Sequence, residues 1–365
     1  MRITGNKALI LEAVQSVIGA VGAKNTLPIL SNILIEAKKQ ESQFSATDLD
    51  IGITYTTKDI QCIEEGSVTI PAKRTLDIIK ELPNDTIEIT AKKNNTVLLE
   101  CKDISFKILG IPKDEFPTIP GLKNQEPYTI TQQELRNLLT ATSFAMSSDE
   151  TRYILNGICL VVSKNTTKAV ATDGRRLAIA TIKNNTSFKK EEKAVIPSKA
   201  VGELIKTLKD EKTIDIFFSD KQIKFQTENT GILSRLIEGE FPNYEQAIPK
   251  EHETKLTINK EALQSAVKRA SLLTTQESQA IKLQLSKNRL VISKSTPEVG
   301  ETKEELPAEY AGPEMTTGFN PTYLQDVLKT IKQEKVSIEF TGTEKPAVIR
   351  QGSEYVYIVL PMQVT

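Results

Sequence analysis

The chain repeats itself with a period of about 125 residues, which restricts it to folds built from similar successive units. Thr47-Asp48-Leu49-Asp50 returns 125 residues later as Thr172-Asp173-Gly174-Arg175, and Glu115-Phe116-Pro117 returns at the same spacing as Glu240-Phe241-Pro242. Ile70-Pro71-Ala72-Lys73 returns after 126 residues as Ile196-Pro197-Ser198-Lys199, with a fainter third version at Phe319-Asn320-Pro321-Thr322. Units this long are duplicated domains rather than the short modules of a solenoid. The polar, proline-marked stretches 121–127 and 249–254 read as linkers, so three domains are expected at 1–125, 126–250 and 251–365.

Each copy opens on a short strand and an amphipathic helix, runs through several strands to a second helix, and ends in alternating strands. In the first copy Leu11, Val14, Ile18 and Val21 lie on one helical face. Thr131-Gln132-Gln133-Glu134 has the spacing of a capping box and leads into Leu135, Leu138 and Leu139. Asn259 is placed to cap a helix carrying Leu263, Ala266, Val267 and Ala270. Pro71, Pro197 and Pro321 stand at the entries of the second helices, where a missing N–H does least harm. Helices are therefore predicted at 6–20, 72–82, 131–143, 198–209, 259–272 and 320–332. Two helices and many antiparallel strands per copy define an α+β domain with its helices on one side of its sheets.

In the second copy, residues 169–180 set two apolar runs around Asp173-Gly174, a pair suited to the positive φ angles of a tight hairpin. Arg175 and Arg176 follow at once and leave the strand end in opposite directions. Several chemistries have little to stand on. The one histidine, His252, lies in a polar linker, which disfavours a Ser/His/Asp triad or a histidine metal site. Neither a Gly-x-x-x-x-Gly-Lys-Ser/Thr loop nor a Gly-x-Gly-x-x-Gly turn is present, and no Asp-x-Asp-like cluster stands out. No catalytic residues, metal or cofactor are expected. Cys62, Cys101 and Cys159 lie far apart in strand-like runs and are expected to be buried free thiols of a reducing compartment. No apolar run nears the roughly 18 residues of a membrane span, and Met1-Arg2-Ile3 leads straight into structured pattern, so a cytoplasmic protein is expected.

The formal net charge is zero, with 47 basic and 47 acidic side chains, and no third of the chain is a basic domain. The six predicted helices nevertheless carry a net +6, which leaves −6 on the rest. Lysine and arginine are good formers of solvated helix faces, and that is one reading. The other is that helices facing one way make a single positive surface for a polyanion met through its phosphates, without base reading. Their basic residues are Lys7, Lys73, Arg74, Lys80, Arg136, Lys199, Lys206, Lys209, Lys260, Lys268, Arg269, Lys329 and Lys332. The opposite sign gathers at 296–309, with five carboxylates against one lysine. This is either a solvated loop or an interface suited to a basic edge such as Lys102 to Ile108.

The motifs Thr26-Leu27-Pro28-Ile29-Leu30-Ser31-Asn32, Arg152-Tyr153-Ile154-Leu155-Asn156-Gly157, Ala171-Thr172-Asp173-Gly174-Arg175-Arg176-Leu177-Ala178, Glu240-Phe241-Pro242-Asn243-Tyr244 and the ending Tyr355-Val356-Tyr357-Ile358-Val359-Leu360-Pro361-Met362 resemble, in that order and over the whole chain, the bacterial sliding clamps, the beta subunits of DNA polymerase III. The resemblance implies the DNA clamp fold: three tandem similar domains per chain, two helices packed on antiparallel sheets in each, and a head-to-tail homodimeric ring. Its function would be that of a noncatalytic processivity factor that encircles duplex DNA and tethers the replicative polymerase. The implied partners are duplex DNA without sequence preference, a second copy of the chain, the polymerase III catalytic subunit, the clamp loader and other proteins with a clamp-binding motif, with no membrane involved.

Residue by residue, the resemblance implies a partner-peptide pocket at Leu155, Thr172, Gly174, Arg175, Arg176, Leu177, Pro242, Asn320, Tyr323, Pro346, Val359, Leu360, Pro361 and Met362. Arg175 stands where many members have histidine, and Gln246 and Ala247 where a basic and a larger apolar residue occur in others. It turns Lys24, Lys73, Arg74, Lys80, Arg136, Lys199, Lys206, Lys209, Lys268, Arg269, Lys329 and Lys332 toward DNA. It sets the dimer contact between first and third domains, with Phe106 and Ile108 near Leu272 and Leu273, and Arg74, Lys102 and Lys107 opposite Glu298, Glu301, Glu304 and Glu305. Two other readings compete: a metal-dependent DNA-processing enzyme on a repeated α+β scaffold, and an interaction scaffold that never meets DNA. The absence of a metal-like cluster weighs against the first, and the helix-confined positive charge against the second.

Overall fold

Residues 1–22, 27–122, 126–184, 191–209 and 212–363 are described by a computed structural model in which the three repeats follow one plan. The first runs β1 (Arg2–Asn6), α1 (Lys7–Val17), β2 (Asn32–Lys38), β3 (Glu41–Thr47), β4 (Ile51–Thr57), β5 (Gln61–Glu64), β6 (Gly66–Pro71), α2 (Ala72–Glu81), β7 (Thr86–Ala91), β8 (Thr96–Cys101) and β9 (Ile104–Leu109). The second runs β10 (Tyr128–Thr131), α3 (Gln132–Thr142), β11 (Gly157–Val162), β12 (Thr166–Thr172), β13 (Arg176–Lys183), β14 (Glu192–Pro197), α4 (Ser198–Thr207), β15 (Thr213–Phe218), β16 (Gln222–Gln226) and β17 (Thr230–Arg235). The third runs β18 (Thr254–Asn259), α5 (Lys260–Ser271), β19 (Ile281–Ser286), β20 (Arg289–Thr296), β21 (Gly300–Pro307), β22 (Met315–Phe319), α6 (Pro321–Thr330), β23 (Lys335–Phe340), β24 (Ala347–Gln351) and β25 (Tyr355–Val359).

The helices begin where local chemistry tells them to. Asn6 accepts the Leu9 N–H at 3.0 Å, Asn259 that of Ala262 at 3.0 Å, and Asn320 that of Thr322 at 2.9 Å. Thr131 and Glu134 form the reciprocal capping box: the Glu134 N–H donates to Thr131 Oγ1 at 3.1 Å and the Thr131 N–H to Glu134 Oε2 at 3.2 Å. One predicted face needs correction. The buried stripe of α1 is Ile10, Ala13, Val14 and Val17, while Leu11, Ile18 and Val21 are only half-buried. Alternative apolar rows coexist on so hydrophobic a helix, and the neighbouring sheet selects between them. The cysteines need another: Cys101 and Cys159 are buried, but Cys62 is half-exposed. Burial pushes the Cys159 thiol up to about 11, which keeps it protonated at neutral pH.

The chain parts into two compact units, residues 1–136 with 199–236 and residues 137–198 with 237–365. Unit 1 holds a five-stranded sheet, β5-β1-β7-β8-β9, and an eight-stranded one, β10-β15-β16-β17-β4-β3-β2-β6. The larger sheet is completed by two repeats, since β17 of the second pairs with β4 of the first from Thr230↔Tyr55 to Ser234↔Ile51. Unit 2 repeats the device. Its eight-stranded sheet β14-β11-β12-β13-β25-β24-β23-β18 joins second and third repeats where β13 meets β25, from Arg176↔Val359 to Ala180↔Tyr355, beside a four-stranded sheet β21-β20-β19-β22. Every strand pairing described is antiparallel. The middle repeat is thus shared between the units, its residues 126–136 and 199–236 going to unit 1 and 137–198 and 237–250 to unit 2. Each sheet ends in two edge strands; those of the two smaller sheets are β5 and β9 in unit 1 and β21 and β22 in unit 2.

Candidate functional site

The Asp-Gly turn between β12 and β13 is held by its own side chains. Asp173 Oδ1 accepts the N–H groups of Arg175 at 2.9 Å and Arg176 at 3.0 Å, and Thr172 Oγ1 accepts the Gly174 N–H at 3.0 Å while donating to the Arg176 carbonyl at 2.6 Å. Gly174 sits at φ +85°. The first repeat builds the same turn from Thr47 and Asp48, with Leu49 forced to φ +80° in the glycine's place.

The two arginines do different things. Arg176, its side chain 9% exposed, donates to Asp173 Oδ2 at 3.0 Å, to Asp326 Oδ2 at 2.8 Å and to the Phe144 carbonyl. Its guanidinium lies 4.4 Å from the centre of the Tyr323 ring and 5.5 Å from that of Phe144. Burial opposes its charge, but the Asp326 hydrogen bond and the surrounding negative groups overrule it, and the net shift in pKa is upward. Arg175 is exposed. Only the latter is a rim residue; Arg176 is an internal brace tying the turn to α6.

Beside the turn opens a cavity of about 610 Å³, entirely within unit 2. Of the residues predicted for the pocket, Leu155, Thr172, Gly174, Arg175, Arg176, Leu177, Pro242, Pro346 and Leu360 line it. The others stand behind or beside it. Tyr323 stacks on Arg176, Asn320 caps α6, Val359 is fully buried in β25, and Pro361 and Met362 are half-buried beyond that strand, where the Met362 N–H donates to the Gly318 carbonyl at 2.8 Å. The cavity also takes Asn243, Tyr244, Gln246, Ala247, Ile248 and Pro249 from one side and Thr341, Lys345 and Ile358 from another. The repeated Glu-Phe-Pro motif pointed at the first group, because a single 3₁₀ turn, Tyr244–Ala247, follows it directly. Thr341 and Lys345 carried no such signal. The floor is apolar: Leu155, Leu177 and Ile358 belong to a cluster with Cys159, Val170, Ile179, Val195, Phe241 and Val348. Burial pushes the Tyr244 phenol up to about 12.

Of the residues assigned toward DNA, Lys24 lies outside the described residues; Lys73, Arg74, Lys80, Arg136, Lys199, Lys206 and Lys209 in unit 1 and Lys268, Arg269, Lys329 and Lys332 in unit 2 are all exposed. Intrachain carboxylates meet part of this charge, at Lys199–Asp48 (2.5 Å), Lys206–Glu203 (2.7 Å), Lys329–Asp326 (3.5 Å) and the two-pronged Arg269–Glu304 pair. Among the dimer candidates, Phe106 is 39% exposed on edge strand β9 and Leu272 is 76% exposed just past α5, with Leu273 half-buried. Ile108 is corrected: at 5% exposure it faces the core of its own sheet opposite Val97, and Ile104 and Leu109 are the other exposed apolar residues of that strand. The predicted charge opposition is also partly taken up within the chain, since Lys102 pairs with Asp85 at 2.8 Å, Glu304 with Arg269 and Glu305 with Arg289 at 3.5 Å. Arg74, Lys107, Glu298 and Glu301 show no ion pair among the described residues. No group of three or more His, Cys, Asp or Glu side chains among the described residues is placed to hold a metal ion, and no described helix is long and apolar enough to cross a membrane.

Comparison with known proteins is consistent over the whole length. Models of the N-terminal, central and C-terminal domains of the DNA polymerase III beta subunit match residues 1–120, 129–243 and 245–363. The beta sliding clamp of Pseudomonas putida is 31% identical over 366 residues, covering all of both chains, and that of Staphylococcus aureus is 32% identical over 375 residues, covering 100% of this chain and 99% of its own. Among solved structures, the DNA polymerase sliding clamp of Bacillus subtilis superposes with a TM-score of 0.95 at 30% identity, and a sliding clamp of Pseudomonas aeruginosa bound to griselimycin with 0.94 at 31%, each covering 100% of both chains. Three family domains in tandem and relatives matched end to end leave one assignment: the chain belongs to the DNA polymerase III beta subunit family, the bacterial sliding clamps.

Proposed function

We propose that the cavity beside the 173–176 turn is where this polymerase processivity factor receives the peptide segments of its partners. The observation that carries the reading is the cavity itself: about 610 Å³, floored by Leu155, Leu177 and Ile358 and bounded by a side-chain-locked turn. An extended segment with apolar anchors needs such a preformed groove, because binding then orders only the peptide. The polymerase catalytic subunit and the clamp loader are its principal occupants.

The rest of the assignment follows the chain's anatomy. Domains at 1–125, 126–250 and 251–365 make half of a ring, closed by a second chain where edge strand β9 and Phe106 meet edge strand β21 and Leu272 of the other copy. Closure in this way leaves neither edge free to recruit further chains. The exposed lysines and arginines in and just beyond helices α2 to α6 face the enclosed duplex through its phosphates. The protein holds and tethers without catalysing a reaction, and it works in the cytoplasm. To test this, the clamp is loaded on nicked circular DNA and the circle is then cut. Retention on the intact circle with loss after cutting is expected; equal retention on both would refute encirclement.

A further inference from the structure

We infer that phosphate contact at Lys199 and Lys206 of α4 loosens the β4–β17 seam of unit 1, whereas the β13–β25 seam of unit 2, built on the same plan, is insulated from it; this rests on the reading above that those lysines face DNA. The two seams are registered alike, five pairs each, from Thr230↔Tyr55 to Ser234↔Ile51 and from Tyr355↔Ala180 to Val359↔Arg176. At each seam two acids stand where the second helix of one repeat meets the repeat before it. In unit 1 they are Asp48, on the turn before β4, and Glu203 on α4; in unit 2 they are Asp173, on the turn before β13, and Asp326 on α6. None of the four side chains is more than 19% exposed, and a carboxylate so covered is costly unless a cation meets it.

What supplies the cation differs between the seams. In unit 2 one buried guanidinium, Arg176, serves both acids, at 3.0 Å from Asp173 and 2.8 Å from Asp326, and Lys329 at 3.5 Å only adds to the second. Ile51 holds the place of Arg176 in unit 1 and is buried with no charge to offer. Its two acids are met from outside instead, by separate exposed lysines: Lys199 on Asp48 at 2.5 Å and Lys206 on Glu203 at 2.7 Å. Among the described residues neither acid has a second cation. The Lys199 pair ties the second repeat to the first. The Lys206 pair steadies a side chain that also crosses, since Glu203 Oε2 lies in the room that a Cβ on Gly19 would take. A third pair across this seam, Asp50 with Arg235 at 3.6 Å, is exposed on both sides. Phosphates that draw off Lys199 and Lys206 therefore leave Asp48 and Glu203 without a counter-charge, and exposed pairs are the ones most readily competed or screened away. By linkage, the loosened seam in turn favours the phosphate-bound lysines. In unit 2 the same competition can take Lys329 and still leave both acids on Arg176.

Native-state hydrogen exchange of the full chain at low salt tests this. Protection is read in 51–55 and 230–234 for the first seam and in 176–180 and 355–359 for the second, with and without a short linear DNA duplex whose binding is followed by fluorescence anisotropy. Bound duplex should lower protection of the first seam about two- to tenfold, the range for losing two exposed ion pairs, and leave the second unchanged. A Lys199→Gln, Lys206→Gln double variant should show the first seam already lowered without duplex, while full protection of its second seam reports that the chain is folded. Unchanged protection of the first seam with duplex bound, an equal fall in both seams, or a first seam fully protected in the double variant overturns the inference and leaves the DNA-facing reading standing. Failure of the duplex to bind at any salt removes that reading and the inference together.

Discussion

Arg176 shows how much one side chain can be asked to hold. It bonds two carboxylates and a carbonyl and stacks on Tyr323, so its removal leaves the Phe144 carbonyl without this donor and Asp326 with only Lys329 at 3.5 Å. Arg176→Ala should lower unfolding free energy by about 3 kcal/mol in urea melts, the range for breaking a largely buried ion pair. Arg176→Lys should recover little of it, because an ammonium can neither fork between two carboxylates nor stack in plane. Asp48, in the matching turn of the first repeat, gives a pH test. Burial works to raise its pKa, but the Ile51 N–H, the Lys199 ammonium and the Asp50 N–H together hold the carboxyl below its ordinary value. A depressed carboxylate contributes stability above its unfolded pKa of about 4 and loses it as pH falls through the folded value. Urea melts below about pH 4 should therefore fall less steeply with acid in Asp48→Asn than in the unaltered protein. The arginine pair and its turn were legible in the sequence, but not which arginine would be buried. Strand alternation sends them to opposite sides, and only the packing of α6 decides which side is interior.

Helices and strands were legible to different degrees. All six helices stand within three residues of their expected ends, because caps such as Asn259 and the Thr131–Glu134 box are local signals. Strand partners were not legible: nothing near Ile53 in sequence announces that it will lie opposite Ile232. The same limit misplaced Ile108, whose burial depends on the core beneath β9. That strand and β21 remain the elements on which dimerisation is proposed to turn. Leu272→Asp combined with Leu273→Asp should sediment as a monomer while keeping its unfolding transition. A double variant that still sediments as a dimer would refute the interface.

At the scale of the molecule, zero net charge and positive helices are compatible because +6 on the six helical segments is balanced by −6 on the rest of the chain. A protein held by encirclement needs only weak phosphate contact, so raising the salt should slow its loading while leaving clamps already on a closed circle in place. Salt-driven loss from closed circles would mean that charge, and not topology, retains it. Duplication was plain in the sequence, yet the compact units do not coincide with the repeats, since each eight-stranded sheet is finished by the last strand of the following repeat. That has a bearing on how the protein is born. The outer side of β4 has no mate until residue 235 has left the ribosome, and that of β13 none until residue 359. At bacterial synthesis rates of about 5–20 residues per second, each waits on the order of 10–40 s as an open template. Nascent chains on one polysome thus present one another with unfinished sheet edges, and each sheet is closed to a neighbour's strand only once its own last strand has been made.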